Sequence, residues 1–372
     1  MLISLILVAV DTTQSTASDR VKFYINGDLI TDFGTTSYPD QNESLYLNDA
    51  CRQTWGVEDG GIDIYFADIH FIDGYQYDAS YFGYTESQTG IWRPKKYEGT
   101  YQDNSYHLDF SDPTSLDTLG IDKSPLGNDY AAEGFQVSAG YNQDTLLDTP
   151  TKEYSILNNL HHNSTNTTFS NGNLYASIPA SNTNGKAFGT IPIKTGKWYW
   201  EVKINNLSGS VMLGVLRQEY ASTTLAKTSN AYMGSNSGDL SFSYRENGTF
   251  YFNGSTDTGN TSFSNDTIML ALDMDNGAIY TGKNGTWNDS GDPTSGASKT
   301  GASYTGISAG EFYSPATSMS SSDIDCILNA GQSNGVNVIS SANADANGHG
   351  AFEYSVPSGY FAICTKNIAE QA

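Results

Sequence analysis

At 372 residues the chain has room for about two domains, and it is dense in Gly (37), Tyr (25) and Phe (16) while only 16% of its residues are charged. Its 41 acidic and 18 basic side chains give a formal net charge of −23, a surface that repels phosphate backbones, so nucleic acid is excluded as a partner. Few stretches could form a long amphipathic helix, which excludes a helical bundle and points to an all-β protein. Cys51, Cys326 and Cys364 lie far apart without ligand-type spacing and read as small buried hydrophobes, not as a disulfide framework.

Met1 to Val10 is an unbroken apolar run. It lacks a basic leader segment and a clear small-x-small cleavage site, and it is too short to span a bilayer. The pattern favours a buried strand over a signal peptide, and with no other candidate span, no membrane insertion is expected. Arg20 to Ile30 then reads as a hairpin turning at Asn26-Gly27, with Val21, Phe23 and Ile25 on one face. Ser44 to Leu47 is a predicted short strand. Ile62 to Asp73 is a longer one, in which the apolar register shifts near Ala67-Asp68 as at a β-bulge. Gly74 to Gly83 is a Tyr-rich turn.

The segments VDTTQ, DRVKFYINGDLI and IDIYFADIHFIDG resemble part of a concanavalin A-like (LamG-type) lectin/glucanase domain, in the version carried by phage and marine-virus surface proteins. The resemblance implies an incomplete sandwich over residues 1–90. Its missing strands would come from a neighbouring subunit or polypeptide, or the first strand would stand as an exposed edge. Residues 91–172 form an ordered connector, in which Tyr106, Leu108 and Phe110 alternate and Phe135 to Val137 is a short apolar piece. Asn158 to Asn173 is its most polar tract and reads as a surface loop.

Residues 173–372 carry the strongest patterning. In GKWYWEVKI, Trp198, Trp200, Val202 and Ile204 alternate with Tyr199, Glu201 and Lys203, the period of a strand with one buried and one wet face. Val211 to Leu216 is apolar on both faces, as in the middle of a sandwich. LSFSYRENGTFYFN, from Leu240, is a hairpin that pairs Phe242 and Tyr244 with Phe250 and Phe252. Ile268 to Leu272 is a buried run followed by Asp275, Asn276 and Gly277, the positive-φ positions of a tight turn, and by a return strand to Asn284-Gly285. Gly282 to Gly310 is a long polar loop, and Cys326 to Ala330 and Tyr360 to Thr365 are closing strands.

GKWYWEVKI followed by LALDMDNGAIYTGKNGT resembles the core of a SPRY (B30.2-like) domain, over roughly Asn173 to Lys366. Thr281-Gly282 departs from it, since the family has a large residue there, and the departure implies one weaker packing contact. The phrases ILNAGQ and VPSGYFAICTKN resemble the ending of the viral proteins.

Catalytic signatures are missing. The Glu-x-Asp-x-x-Glu string of a retaining β-glucanase does not occur, and Glu201, Asp273 with Asp275, and Asp323 with Asp325 read as turn caps or solvent-facing groups, so no enzyme is expected. His161 and His162 are adjacent and point to opposite sides of an extended chain; His70, His107 and His349 read as isolated, and no metal site is expected from them. Asp273, Asp275 and Asn276 are a weak calcium candidate, although the turn alone accounts for them. The remaining signal is aromatic. Tyr75, Tyr77 and Tyr81, with Trp55 and Trp287, sit among turn residues, where rings stack on sugars; packing of the Tyr cluster against the connector explains it equally well.

The sequence therefore reads as an all-β chain of two antiparallel, jelly-roll-like β-sandwich units, the N-terminal one incomplete. The resemblance implies a non-enzymatic virion surface or tail-fibre protein, the loops and aromatics point to binding of a cell-surface glycan or another virion protein, and a homotrimer would fit a fibre. The alternative is a secreted or cell-surface bacterial adhesion module that binds proteins through its SPRY-like unit.

Overall fold

The computed structural model describes residues 5–47, 53–55, 66–87, 90, 92–112, 114–137, 144–145, 147–149, 152–160, 167–178, 185–221, 233–238, 241–320, 323–332, 339–340 and 342–371. The chain divides into two compact units, one of residues 2–137 with 149–151, the other chiefly 152–372 with 138–148. Met1 to Ser4, Cys51, Ile62 to Tyr65, His161 and His162 lie outside the described residues.

The N-terminal unit is built of small antiparallel sheets. Strands β1 (Ile6–Val10), β2 (Val21–Ile25) and β3 (Asp28–Ile30) form one sheet in that order. Asn26 and Gly27 take the positive φ values of 50° and 90° that a two-residue hairpin needs. The buried face is not the predicted one: Tyr24 packs on Ala9 and Ala79, while Ile25 is exposed. Strand β1 is likewise a sheet edge with Ile6 and Val8 exposed, because its apolar run is longer than the single buried row it supplies. Ser44 to Leu47 is loop.

The longer predicted strand reduces, within the described residues, to β4 (Ile69–Phe71), preceded by Asp68 at a φ of +57° where the register shift was read. After β5 (Gly83–Thr85) and β6 (Trp92–Pro94), which pair with each other, β7 (Tyr106–Leu108) pairs with β4 and sets His70 directly opposite His107.

The second unit is a sandwich. Its strands are β8 (Thr168–Ser170), β9 (Tyr175–Ile178), β10 (Gly185–Phe188), β11 (Lys197–Leu207), β12 (Ser210–Arg217), β13 (Phe242–Arg245), β14 (Phe250–Phe252) and β15 (Ser255–Asp257). There follow β16 (Thr267–Asp273), β17 (Ala278–Lys283), β18 (Thr286–Trp287), β19 (Tyr313–Ser320), β20 (Ile324–Asn329) and β21 (Phe361–Ala362). One sheet runs β10-β19-β12-β13-β14-β15 and the other β18-β17-β16-β11-β20-β9-β8, with β21 parallel to the first residues of β11.

Trp198, Trp200, Val202 and Ile204 of β11 face Val211, Leu213 and Val215 of β12 in the main core. The face of β11 expected to be wet is also covered. Tyr199 and Glu201 are fully buried, because Tyr154, Phe352, Tyr360 and Ala362 build a second cluster over it. The predicted pairs Phe242 with Phe252 and Tyr244 with Phe250 are in register. In the turn after β16 only Gly277 has a positive φ (69°), so Asp275 and Asn276 serve the turn by hydrogen bonding instead. Thr281, at the departure from the family pattern, is buried and shares hydrogen bonds with Ser303 and Asn288, a polar knot where a large side chain was expected.

Candidate functional site

In the N-terminal unit the predicted tyrosines come together. Tyr77 is sandwiched between Tyr75 (centroids 5.0 Å) and Tyr81 (4.0 Å), whose outer faces remain exposed. Tyr77 also leans on Tyr97, so the cluster is tied to the segment that follows it. Trp55 does not join it; its indole N–H donates to the Tyr106 hydroxyl at 2.9 Å and its ring meets Phe66 edge-on.

The aromatic run continues from Tyr97 through Tyr101 to a histidine pair. The His70 and His107 rings stack at 4.1 Å with an 11° interplanar angle, so the expectation that each is isolated is corrected. Asp68 bridges them: one of its oxygens, Oδ1, lies 2.5 Å from His107 Nε2 and 3.5 Å from His70 Nε2. The other ring nitrogen of His70 shares a 2.7 Å hydrogen bond with the Tyr101 hydroxyl. Asp122 accepts from the His107 backbone N–H at 2.8 Å. The two imidazoles hold the Asp68 carboxyl well below the usual carboxylate range, against the burial that raises it. Among the described residues, the half-buried Asp68, His70 and His107 are able to hold a metal, since their ligand atoms lie within 4.8 Å of one another.

In the sandwich, the calcium candidates point inward to the turn. Asp273 accepts from the Asn276 backbone (2.9 Å) and side chain (2.8 Å) and pairs with Lys197 at 3.1 Å. Asp275 accepts from the Gly196 N–H at 2.9 Å. Their oxygens bind donors of the fold itself. Trp287 is half-buried against the second cluster and meets Tyr199 edge-on.

Glu201 is a fully buried and heavily engaged carboxylate. Its oxygens accept from the Tyr199 hydroxyl (2.8 Å) and from the backbone N–H groups of Glu353 (2.9 Å) and Tyr354 (2.8 Å). Burial pushes its carboxyl above the usual range, and those hydrogen bonds pull it back only in part. It clamps residues 353–354 onto the sheet and is not solvent-facing, as the alternation implied.

At a rim of the sandwich, Phe312 is exposed, with the Lys194 ammonium 5.2 Å from its ring. Beside it Arg217 pairs with Glu311 at 2.9 Å and Glu219 at 3.0 Å, and the Gln218 N–H donates to the Phe312 carbonyl. An exposed aromatic ringed by charges has the make-up of a protein-contact anchor.

Comparison with known proteins bears on this unit. Residues 197–319 match the SPRY domain family. This stretch is a SPRY domain. Among solved structures, the SPRY domain of human HERC1 aligns at 19% identity with a TM-score of 0.35, covering 46% of this chain and 96% of that one. No curated protein matches the chain. SPRY domains are typically non-catalytic binding modules, and no catalytic family was found. The SPRY match begins at Lys197, the first residue of β11, and ends within β19. Phe312, Arg217, Glu219 and Glu311 of the rim therefore fall within it, and Lys194 lies just before it. Sequence reasoning missed this rim, because one Phe after Gly-Glu carries no period, and missed the histidine pair, because strand pairing across 37 residues is invisible to local pattern.

Proposed function

We propose that the chain is a non-enzymatic recognition protein whose SPRY domain binds a protein partner. The family match over residues 197–319 carries the reading, and the Phe312 rim, with Lys194 and Arg217 beside it, supplies an anchor of suitable chemistry. Resemblance of the N-terminal segments and of the C-terminal phrases to viral surface proteins supports placing this module on a virion, and a trimer by light scattering would fit a fibre. A second reading, glycan binding by the N-terminal unit, is favoured by the exposed outer faces of the stacked Tyr75 and Tyr81.

One experiment separates the two. Cross-linking mass spectrometry identifies a partner, and its affinity is then measured against the chain and its Phe312→Ala and Tyr81→Ala variants. The protein-binding reading expects a loss of about tenfold or more in Phe312→Ala and none in Tyr81→Ala. Glycan-array binding lost in Tyr81→Ala, with no protein partner recovered, would replace it by the second reading.

A further inference from the structure

We propose that Asp68, His70 and His107 form a binding site for a divalent transition-metal ion of the zinc class, independent of the SPRY-based reading. His70 lies in β4, and Asp68 immediately precedes that strand at a φ of +57°, a left-handed turn after which its Oδ1 stands 3.5 Å from His70 Nε2. Pairing of β4 with β7 brings His107 directly opposite His70. Two imidazole nitrogens and a carboxylate oxygen thus converge from both strands, held by backbone register and not by a single loop.

The distances suit the ion. Ligands bound tetrahedrally at about 2.0–2.1 Å stand about 3.3 Å apart. His70 Nε2 and Asp68 Oδ1 are 3.5 Å apart. His107 Nε2 and Asp68 Oδ1, at 2.5 Å, are joined by a hydrogen bond whose proton an ion would replace, with an opening of about 0.8 Å. Asp68 has room for that opening, since its side chain is 35% exposed.

Outer contacts support the same geometry. The hydrogen bond between His70 Nδ1 and the Tyr101 hydroxyl fixes that ring, and the tautomer in which Nδ1–H donates to that hydroxyl leaves Nε2 as the lone-pair nitrogen facing Asp68. Nitrogen donors select zinc, cobalt or nickel over calcium or magnesium. Partial exposure of all three side chains leaves the fourth position to water.

The test is titration of the full chain with Zn²⁺ by calorimetry and with Co²⁺ by visible absorption, alongside His70→Gln, His107→Gln and Tyr101→Phe. The expected result is one tight equivalent per chain and cobalt bands of four-coordinate intensity. Affinity should fall about 100-fold in either Gln variant and about tenfold in Tyr101→Phe. Absence of a tight equivalent in the unmodified chain overturns the proposal. So does binding spread over several weak, salt-displaced equivalents, which marks general attraction to an acidic surface. A tight equivalent that survives both Gln substitutions places the ion elsewhere and overturns it too. If a Gln variant fails to fold, Asp68→Asn, which keeps the side-chain size, is read in its place.

Discussion

Glu201 shows how one side chain can decide the placement of a distant segment. Its carboxylate holds the Tyr199 hydroxyl and two backbone N–H groups of residues 353–354 where no water reaches. Glu201→Ala leaves these donors without an acceptor, at about 1–3 kcal/mol for each unsatisfied group, so a loss of about 3 kcal/mol is expected in urea unfolding. The same burial gives a pH dependence. The folded carboxyl keeps its proton above the unfolded value of about 4.3, so the group's contribution is full below that pH and is lost as pH rises through the folded value. The stability difference between wild type and Glu201→Gln should therefore shift against wild type as pH rises from about 4 and level off above the folded pKa; a difference independent of pH would contradict the raised carboxyl. Period-two alternation made Glu201 look wet because it reports only the strand's own faces. Nothing local to GKWYWEVKI announces that Phe352 and Tyr360, some 150 residues later, will close the second face.

Elements whose signal is local were legible. The β11 and β12 strands, the Phe242 to Phe252 pairing and the Asn-Gly reversals follow from side-chain period and from residues that accept a positive φ. Failures fell on short pieces, such as Ser44 to Leu47, where four apolar or hydroxyl residues are too few to define a strand and the segment is loop. Gly214 is the sharpest element-level constraint. A Cβ there would sit 2.0 Å from the Phe242 carbonyl oxygen of the adjoining strand β13, with the Phe242 carbonyl carbon and Ser243 Cα at 2.9 Å, and paired backbone cannot give way. Gly214→Ala should destabilise the sandwich by about 3 kcal/mol, the upper range for overpacking, measured as a lowered urea midpoint. Amide hydrogen exchange should follow the same division. Strands β11, β12 and β16, buried on both faces, should exchange slowest, and β3 and β5, with exposed residues and one short neighbour each, fastest. Equal protection in all of them would refute the assignment of the main core.

Charge acts on the molecule as a whole. A net charge of −23 places like charges across a surface with few basic groups to offset them, and this self-repulsion works against the compact state. Local attractions oppose it, among them Arg217 with Glu311 and Glu219, but such exposed pairs contribute about 0–1 kcal/mol each. Buried pairs such as Lys197 with Asp273 are screened far less by salt. Raising ionic strength from about 0.01 to 1 M shortens the screening length from about 30 to 3 Å, which removes repulsion between distant carboxylates before it weakens contacts at 3 Å. Thermal unfolding by calorimetry should therefore show a Tm that climbs steadily with sodium chloride. A Tm that falls with salt would mean that the few surface ion pairs outweigh the summed repulsion. The same charge that removed nucleic acid from consideration also favours cations near the surface, so the titration of the Asp68, His70 and His107 cluster gains meaning when run in high salt. There, general attraction is screened, and only ions held by directed nitrogen and oxygen ligands remain bound.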